Sequence, residues 1–192
     1  MYTRKEDVES LEQRFGCPEP AEMEYEIKPW EYDVVKRSMR RGRAHDVTFF
    51  VRNQEDPSLI AVIRKPFFPA GAFRVPSGAA HPDEGLEKGA MREAMEETGL
   101  QVELTRYLVR ISTKFTCSGR EPIDWTTHIF EARETGGRLV PRDTFEIEEA
   151  RWAGLDEIQG PIREVLVQTG WDLFRYRVAL TDMVVEILGT EE

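Results

Sequence analysis

The sequence predicts an α/β domain, and three features carry that expectation. β-branched and aromatic runs of strand length are spread through residues 45–153, a helical segment with one apolar and one acidic face interrupts them, and two further helical segments follow. A chain of 192 residues with 40% hydrophobic content suits one domain with a proper core and flanking segments.

In chain order, residues 2–14 have the composition of a charged helix, closed by the breaker sequence Gly16-Cys17-Pro18-Glu19-Pro20. Residues 36–43 (KRSMRRGR) form a basic cluster, read as a solvated loop or the exposed side of a connector in preference to a phosphate-binding arm. Residues 45–53 (HDVTFFVRN) and 58–65 (SLIAVIRK) are strands joined by the turn Gln54-Glu55-Asp56-Pro57, and so a hairpin. Residues 72–76 give a short strand. Pro76, Ser77, Gly78 and His81-Pro82-Asp83 then favour an irregular loop leading into a helix. On that helix Leu86, Ala90 and Ala94, with Met91 and Met95 alongside, make an apolar stripe, and Thr98-Gly99 supplies its stop signal. A long strand over 101–117 follows, then another over 124–134 (DWTTHIFEARE) closed by Thr135-Gly136-Gly137, and a last one over 150–153. Helices are expected at about 156–168 and 171–188, the second unusually apolar. The implied organisation is an N-terminal extension (1–44), a central domain (45–170) and a C-terminal helix (171–192) packed on the domain or at a dimer interface. No internal repeat or low-complexity tract is present.

The chemistry is concentrated in residues 78–100, GAAHPDEGLEKGAMREAMEETGL. Residues three and four apart on a helix are surface neighbours, so Glu93, Glu96 and Glu97 share one face, and the Glu93–Glu97 repulsion costs roughly 0.2–0.5 kcal/mol. Arg92, four residues before Glu96, offsets only part of this. Carboxylate oxygens are the preferred ligands of hard divalent cations, and Mg²⁺ typically takes one or two of them together with waters and substrate phosphate oxygens. The repulsion disappears once metal binds.

This segment resembles the signature box of the Nudix hydrolases, G-x5-E-x7-R-E-U-x-E-E-x-G-U, in which U is a bulky apolar residue. Gly78, Glu84, Arg92, Glu93, Glu96, Glu97, Gly99 and Leu100 fall on the pattern; Ala94 at the first U is smaller than usual, and Ser77 replaces a glycine often found before Gly78. The resemblance implies an α/β/α sandwich with a mixed β-sheet. It also implies metal-dependent hydrolysis of a pyrophosphate bond in a nucleoside diphosphate linked to another group. Glu93 and Glu97 would be the principal ligands of Mg²⁺ (or Mn²⁺), Glu96 a further one, with the carbonyl of Gly78 or Ala79 completing the shell. Glu84 with Arg92 would brace the loop against the helix.

The general base is sought after the box, where DTFEIEEARW (143–152) resembles D-T-x-E-I-x-E-A-R-W of some relatives. Glu146 is the first choice there and Glu97 itself the alternative; strand alternation would put Glu146 and Glu148 on one side. Arg64, Lys65 and Arg74 flank the strands leading into the box and are candidates for substrate phosphates. Phe67, Phe68 and Trp125 are read as core or lid packing ahead of base stacking, His128 as structural and His81 as a loop residue. Markers of the NADH, coenzyme A and ADP-ribose subfamilies are not found, which leaves ADP-ribose, nucleotide sugars, dinucleoside polyphosphates and nucleoside triphosphates open.

A net charge of −10 argues against a duplex nucleic-acid surface, because that affinity depends on clustered Lys and Arg. Cys17 and Cys117 form neither a disulfide framework nor a metal-ligand pattern, pointing to a reducing, cytoplasmic setting. No stretch suggests a membrane span or signal peptide. Two rival classes are a nucleotide-binding regulator on the same scaffold and an isomerase of isopentenyl diphosphate. Intact carboxylates argue against the first, and the isolation of Cys117 argues against the second. The apolar tail 171–188 suggests a homodimer.

Overall fold

In the computed structural model, which describes residues 5–39, 42–82 and 84–189, twelve elements follow one another. They are α1 (Lys5–Phe15), β1 (Glu19–Glu26), α2 (Pro29–Ser38), β2 (His45–Arg52), β3 (Leu59–Arg64), β4 (Ser77–Gly78), α3 (Leu86–Thr98), β5 (Leu100–Thr116), β6 (Ile123–Gly137), β7 (Glu149–Gly154), α4 (155–168) and α5 (Asp172–Gly189). The strands make one mixed seven-stranded sheet in the order β1-β5-β6-β2-β3-β7, with β4 beside β2. β1 runs parallel to β5 and β2 parallel to β6; the other pairings are antiparallel.

The 45–65 hairpin forms with a turn in which Asn53 Oδ1 accepts the N–H groups of Glu55 at 2.9 Å and Asp56 at 2.7 Å. Its strands pair at Arg52 and Ile60, and beyond that point residues 74–78 lie between them. There Arg74 bridges Ile63, and Ser77–Gly78 pair with Thr48 and Val47. This divergence places Gly78, the first box residue, inside the sheet.

Alternation along β2 separates two cores. Val47, Phe49 and Val51 meet Leu11 of α1 and Leu86, Ala90 and Ala94 of α3; Phe50 faces the opposite layer, where Tyr32 of α2, Leu166 of α4 and Phe174 of α5 are buried. Helices therefore cover both faces. Gly89 allows the close approach of α3 to its own loop, since a Cβ there would stand 2.6 Å from Ala80 Cα. Met91 departs from the expected stripe: it is 43% exposed, because it sits off the Leu86–Ala90–Ala94 line.

The N-terminal extension holds a strand that the sequence did not signal. EPAEMEYE is polar, but β1 needs only one apolar face, with Ala21, Met23 and Tyr25 packed on the core, and as an edge strand it tolerates Pro20. The breaker thus ends at Pro18, and Glu19 and Pro20 are strand residues. At the other end, α4 contains a π-helical turn (Ile158–Ile162) around Pro161. Phe174, Val178, Val184 and Leu188 of α5 are buried in the chain's own core, with Met183 and Ile187 packed partly against it.

Candidate active-site cleft

α3 carries Glu93, Glu96 and Glu97 to the wall of a cleft of about 430 Å³, which Lys65 and Glu146 also line. The entering loop crosses this wall at Gly78, where a Cβ would stand 2.1 Å from Cδ of Glu93, so any side chain would expel the carboxylate. Glu93 Oε1 accepts the Ala79 N–H at 3.1 Å. The helix then stops at Gly99, whose φ of 78° and close approach to the carbonyls of Arg138 and Val140 both exclude a Cβ.

Arg92 gathers the loop and the helix. Its Nε and Nη2 donate to the two Glu84 oxygens at 2.8 and 3.0 Å, Nη2 also donates to the Ala79 carbonyl at 2.7 Å, and Nη1 reaches Glu93 at 3.0 Å and Glu96 at 2.9 Å. Glu84 in turn accepts the His81 N–H, and its hydrogen bonds from Arg92 hold its carboxyl below the usual range. Glu97 is buried, accepting the Ser77 N–H at 2.9 Å with Arg74 Nη2 at 3.7 Å. Burial pushes its pKa up to about 7, outweighing the opposing pull of Arg74 and Lys65. Burial likewise lowers Arg74 to about 10.

Facing α3 is the segment 138–148, pinned because the Arg142 and Asp143 N–H groups both donate to the Glu96 carbonyl at 3.0 Å. Asp143 Oδ1 accepts the N–H groups of Phe145 and Glu146, and the turn sends Glu146 into the cleft, where it pairs with Lys65 at 3.1 Å. The segment is a loop, so strand alternation does not apply and Glu146 and Glu148 part company. Glu148 pairs with Arg64 at 2.7 Å, and Arg64 also reaches Glu149. Arg64 consequently does not line the cleft, whereas its neighbour Lys65 does. Arg74 lies beneath it, donating to Ser77 Oγ at 2.9 Å.

A second cleft of about 270 Å³ opens from the first, sharing Ser38, Arg43, Lys65, Ser77 and Gly78 with it. Phe68 and Trp125 line it and Phe67 stands at its rim, 68% exposed, so that Phe67 is not core packing. On its floor is an ion pair that the sequence reading missed: Asp46 Oδ2 accepts from Arg177 Nη2 at 2.7 Å, while Asp46 Oδ1 accepts from Trp125 Nε1 at 3.0 Å. Burial pushes Asp46 up, but Arg177 and the hydrogen-bond donors outweigh it and hold the carboxyl below its ordinary value. The available signal was weak: Asp46 is the one acidic residue of β2, whereas Arg177 is one of five charged residues of α5. Arg43 also borders both clefts, whereas Arg40 and Arg41 of the same basic cluster lie outside the described residues, as does Asp83 of the loop. His128 is buried against Tyr107 and His45, and His81 is a loop residue.

Glu93, Glu96, Glu97, Asp143 and Glu146 bring carboxylate oxygens to the acidic cleft, the ligands that suit a hard cation, and the glycine cradle keeps Glu93 beside the loop backbone. Among the described residues no three His, Cys, Asp or Glu side chains converge at ligand spacing, because Arg92 engages Glu93 and Glu96 while Ser77 holds Glu97.

Among curated proteins, the NAD-capped RNA hydrolase NudC of Chromobacterium violaceum is 32% identical over 101 residues, covering 53% of this chain and 35% of that protein. The putative mutator protein MutT4 of Mycobacterium tuberculosis is 33% identical over 86 residues, covering 45% and 34% respectively. The matched region thus spans about a third of these relatives. A solved NUDIX hydrolase from Nitrosomonas europaea superposes with a TM-score of 0.48 at 18% identity, over 62% of this chain and 77% of that one. Residues 42–173, from just before β2 to the start of α5, match the family model of the NUDIX domain, and the chain belongs to the NUDIX family.

Proposed function

We propose that the protein hydrolyses a pyrophosphate bond in a nucleoside diphosphate linked to another group, using Mg²⁺ or Mn²⁺ held by Glu93, Glu96 and Glu97. The observation that carries this reading is the Gly78–Glu93 contact, which fixes one carboxylate at the loop backbone with Glu96, Glu97 and Glu146 in the same cleft. A divalent cation there supplies charge neutralisation on phosphoryl oxygens and an acidified water. Arg92 and Glu84 hold the loop against the helix, Arg92 through the Ala79 carbonyl, a positioning role for the residues that would hold the cation. Lys65 and Arg43 border the same space and suit phosphate oxygens, while buried Arg74 offsets the charge of Glu97. Glu146, on a loop and paired with a lysine that phosphate would compete for, is the first candidate for the base; Glu97 is the second. Two unpaired cysteines accord with a cytoplasmic setting.

The test incubates wild type and Glu97→Gln with nucleoside diphosphate derivatives, in Mg²⁺, in Mn²⁺ and in chelator, with products read by mass spectrometry in ¹⁸O-labelled water. Metal-dependent cleavage that Glu97→Gln largely abolishes, with fold retained, supports the hydrolase. No turnover, with a compound that raises the melting temperature, makes the protein a nucleotide-binding regulator instead.

A further inference from the structure

The second cleft is walled by aromatic side chains from within residues 42–173 together with Trp30 of α2 and Phe174 and Tyr176 of α5. Trp30 of α2 meets Trp171 edge to face at 5.1 Å, Trp171 stacks on Phe174 at 4.7 Å, and Phe68 stands edge-on to Phe174 at 4.7 Å. Trp125 of β6 closes the floor, with the Arg43 guanidinium 5.2 Å from its ring centre.

The two walls are fastened together by one buried carboxylate. Glu31 of α2 accepts the Lys28 N–H at 3.2 Å and, through its other oxygen, the Leu173 N–H of α5 at 2.9 Å. Lys28 Nζ adds an ion pair to Asp172 at 3.1 Å. The chamber is therefore preformed, and its mouth is costly to leave bare: Trp30, Val34 and Phe67 are 44%, 40% and 68% exposed around one concavity. Exposed apolar side chains gathered at a concave site mark a ligand surface.

The chemistry of the ligand follows from both ends of the chamber. At the joint with the acidic cleft stand Arg43 and Lys65, the latter paired with Glu146, a partner that a phosphate would displace, and both cations suit phosphate oxygens. Inside, aliphatic side chains are few (Val34, Val35 and Leu173), so a ring finds ring partners, which adds to simple burial, whereas an alkyl chain would gain burial alone.

We propose that this chamber receives a planar aromatic ring of the substrate, with its phosphate at the Arg43–Lys65 joint, and that Trp30 and Trp171 are specificity-determining residues. The inference rests on the hydrolase reading for the identity of the phosphate-bearing compound, but the chamber binds independently of turnover. Three of the four tryptophans line it, Trp30, Trp125 and Trp171, so intrinsic fluorescence reports its occupancy.

The experiment titrates the protein in chelator with AMP and with ribose 5-phosphate, which differ by the ring. A saturable fluorescence change with AMP, at least tenfold weaker with ribose 5-phosphate, is expected. Trp30→Ala, at a half-exposed position that the fold can lose, should weaken AMP at least fivefold and raise KM for a cleaved nucleotide more than it lowers kcat; Trp30→Phe should recover most of the loss. Equal affinity for the two ligands, or unchanged AMP affinity and KM in a folded Trp30→Ala, would overturn the proposal. AMP binding without hydrolysis of any diphosphate would sink the hydrolase reading and leave the chamber standing. Metal-dependent hydrolysis with Trp30→Ala silent would do the reverse.

Discussion

Gly78→Ala isolates the contact on which the cation site depends. Gly78 is not among the glycines with positive φ, so alanine suits its backbone and the effect is steric alone. The new Cβ would stand 2.1 Å from both Cγ and Cδ of Glu93, well inside the 3.5–4.0 Å of ordinary carbon contact. Because the obstructing atoms belong to a side chain that can rotate, Glu93 leaves, giving up its bonds to Ala79 and Arg92. The stability cost should sit at the low end of overpacking, about 1 kcal/mol. Displacing a metal ligand removes more from activity than disturbing its support does, so kcat/KM should fall by at least the ~10–100-fold typical of lost supporting partners. The control is Gly85→Ala: it meets no atom within 4 Å but has φ of 82°, and should cost about 1–2 kcal/mol of stability with activity retained. Thermal melts and steady-state kinetics on both variants separate the effects. In a Glu93→Ala background the Gly78→Ala stability cost should vanish, since nothing then obstructs the Cβ. Wild-type kcat/KM in Gly78→Ala would refute the role assigned to the glycine.

Acid should loosen the fold through His128 and His45, which burial holds neutral with pKa values lowered to about 3 and about 4. Against an unfolded value near 6.5 the native state binds fewer protons, so stability is full above about pH 7 and falls below 6.5 by ~1.4 kcal/mol per pH unit per histidine, a drop that melts at pH 7 and pH 5 should show and that His128→Gln should reduce. Asp46→Asn leaves Arg177 buried opposite a neutral amide and should cost about 3–5 kcal/mol by denaturant titration. Arg64→Ala should keep kcat/KM within about twofold while Lys65→Ala does not, because only Lys65 lines the cleft; an equal loss in both would restore Arg64 as a phosphate ligand.

The acidic helix was legible because its constraints are local. Spacing places three glutamates on one face, small residues on the other face admit the sheet, and Gly99 stops the turn, so sequence distance maps directly onto geometry. What escaped is set by partners remote in the chain. β1 is polar enough to resemble a linker and becomes a strand only by pairing with β5. The separation of Glu146 from Glu148 depends on backbone N–H groups donating to the Glu96 carbonyl, a bond that no side-chain pattern encodes. Arg64 and Lys65 were taken together because both are basic, although adjacent residues leaving a strand point opposite ways, and only one was able to face the cleft. Asp46 is the one acidic residue of β2 and Arg177 one of several charges on α5, so neither pointed to the other; 131 residues apart, they are one ion pair.

The proposed function requires a chain of net charge −10 to accommodate an anionic substrate. The carboxylates Glu93, Glu96, Glu97 and Glu146 would repel a diphosphate, and a cation is what converts their cleft into a phosphate site. A few residues away Arg177 is matched by Asp46, Arg74 by Glu97 and Lys65 by Glu146, while Arg43 borders the joint between the clefts. On the proposed reading a phosphate at that joint would compete with Glu146 for Lys65, and the next phosphate, over the glutamates, would be held by the cation. On that reading substrate recognition is divided from metal loading, with the ring assigned to the chamber that α2 and α5 help to wall and the scissile bond to the box helix.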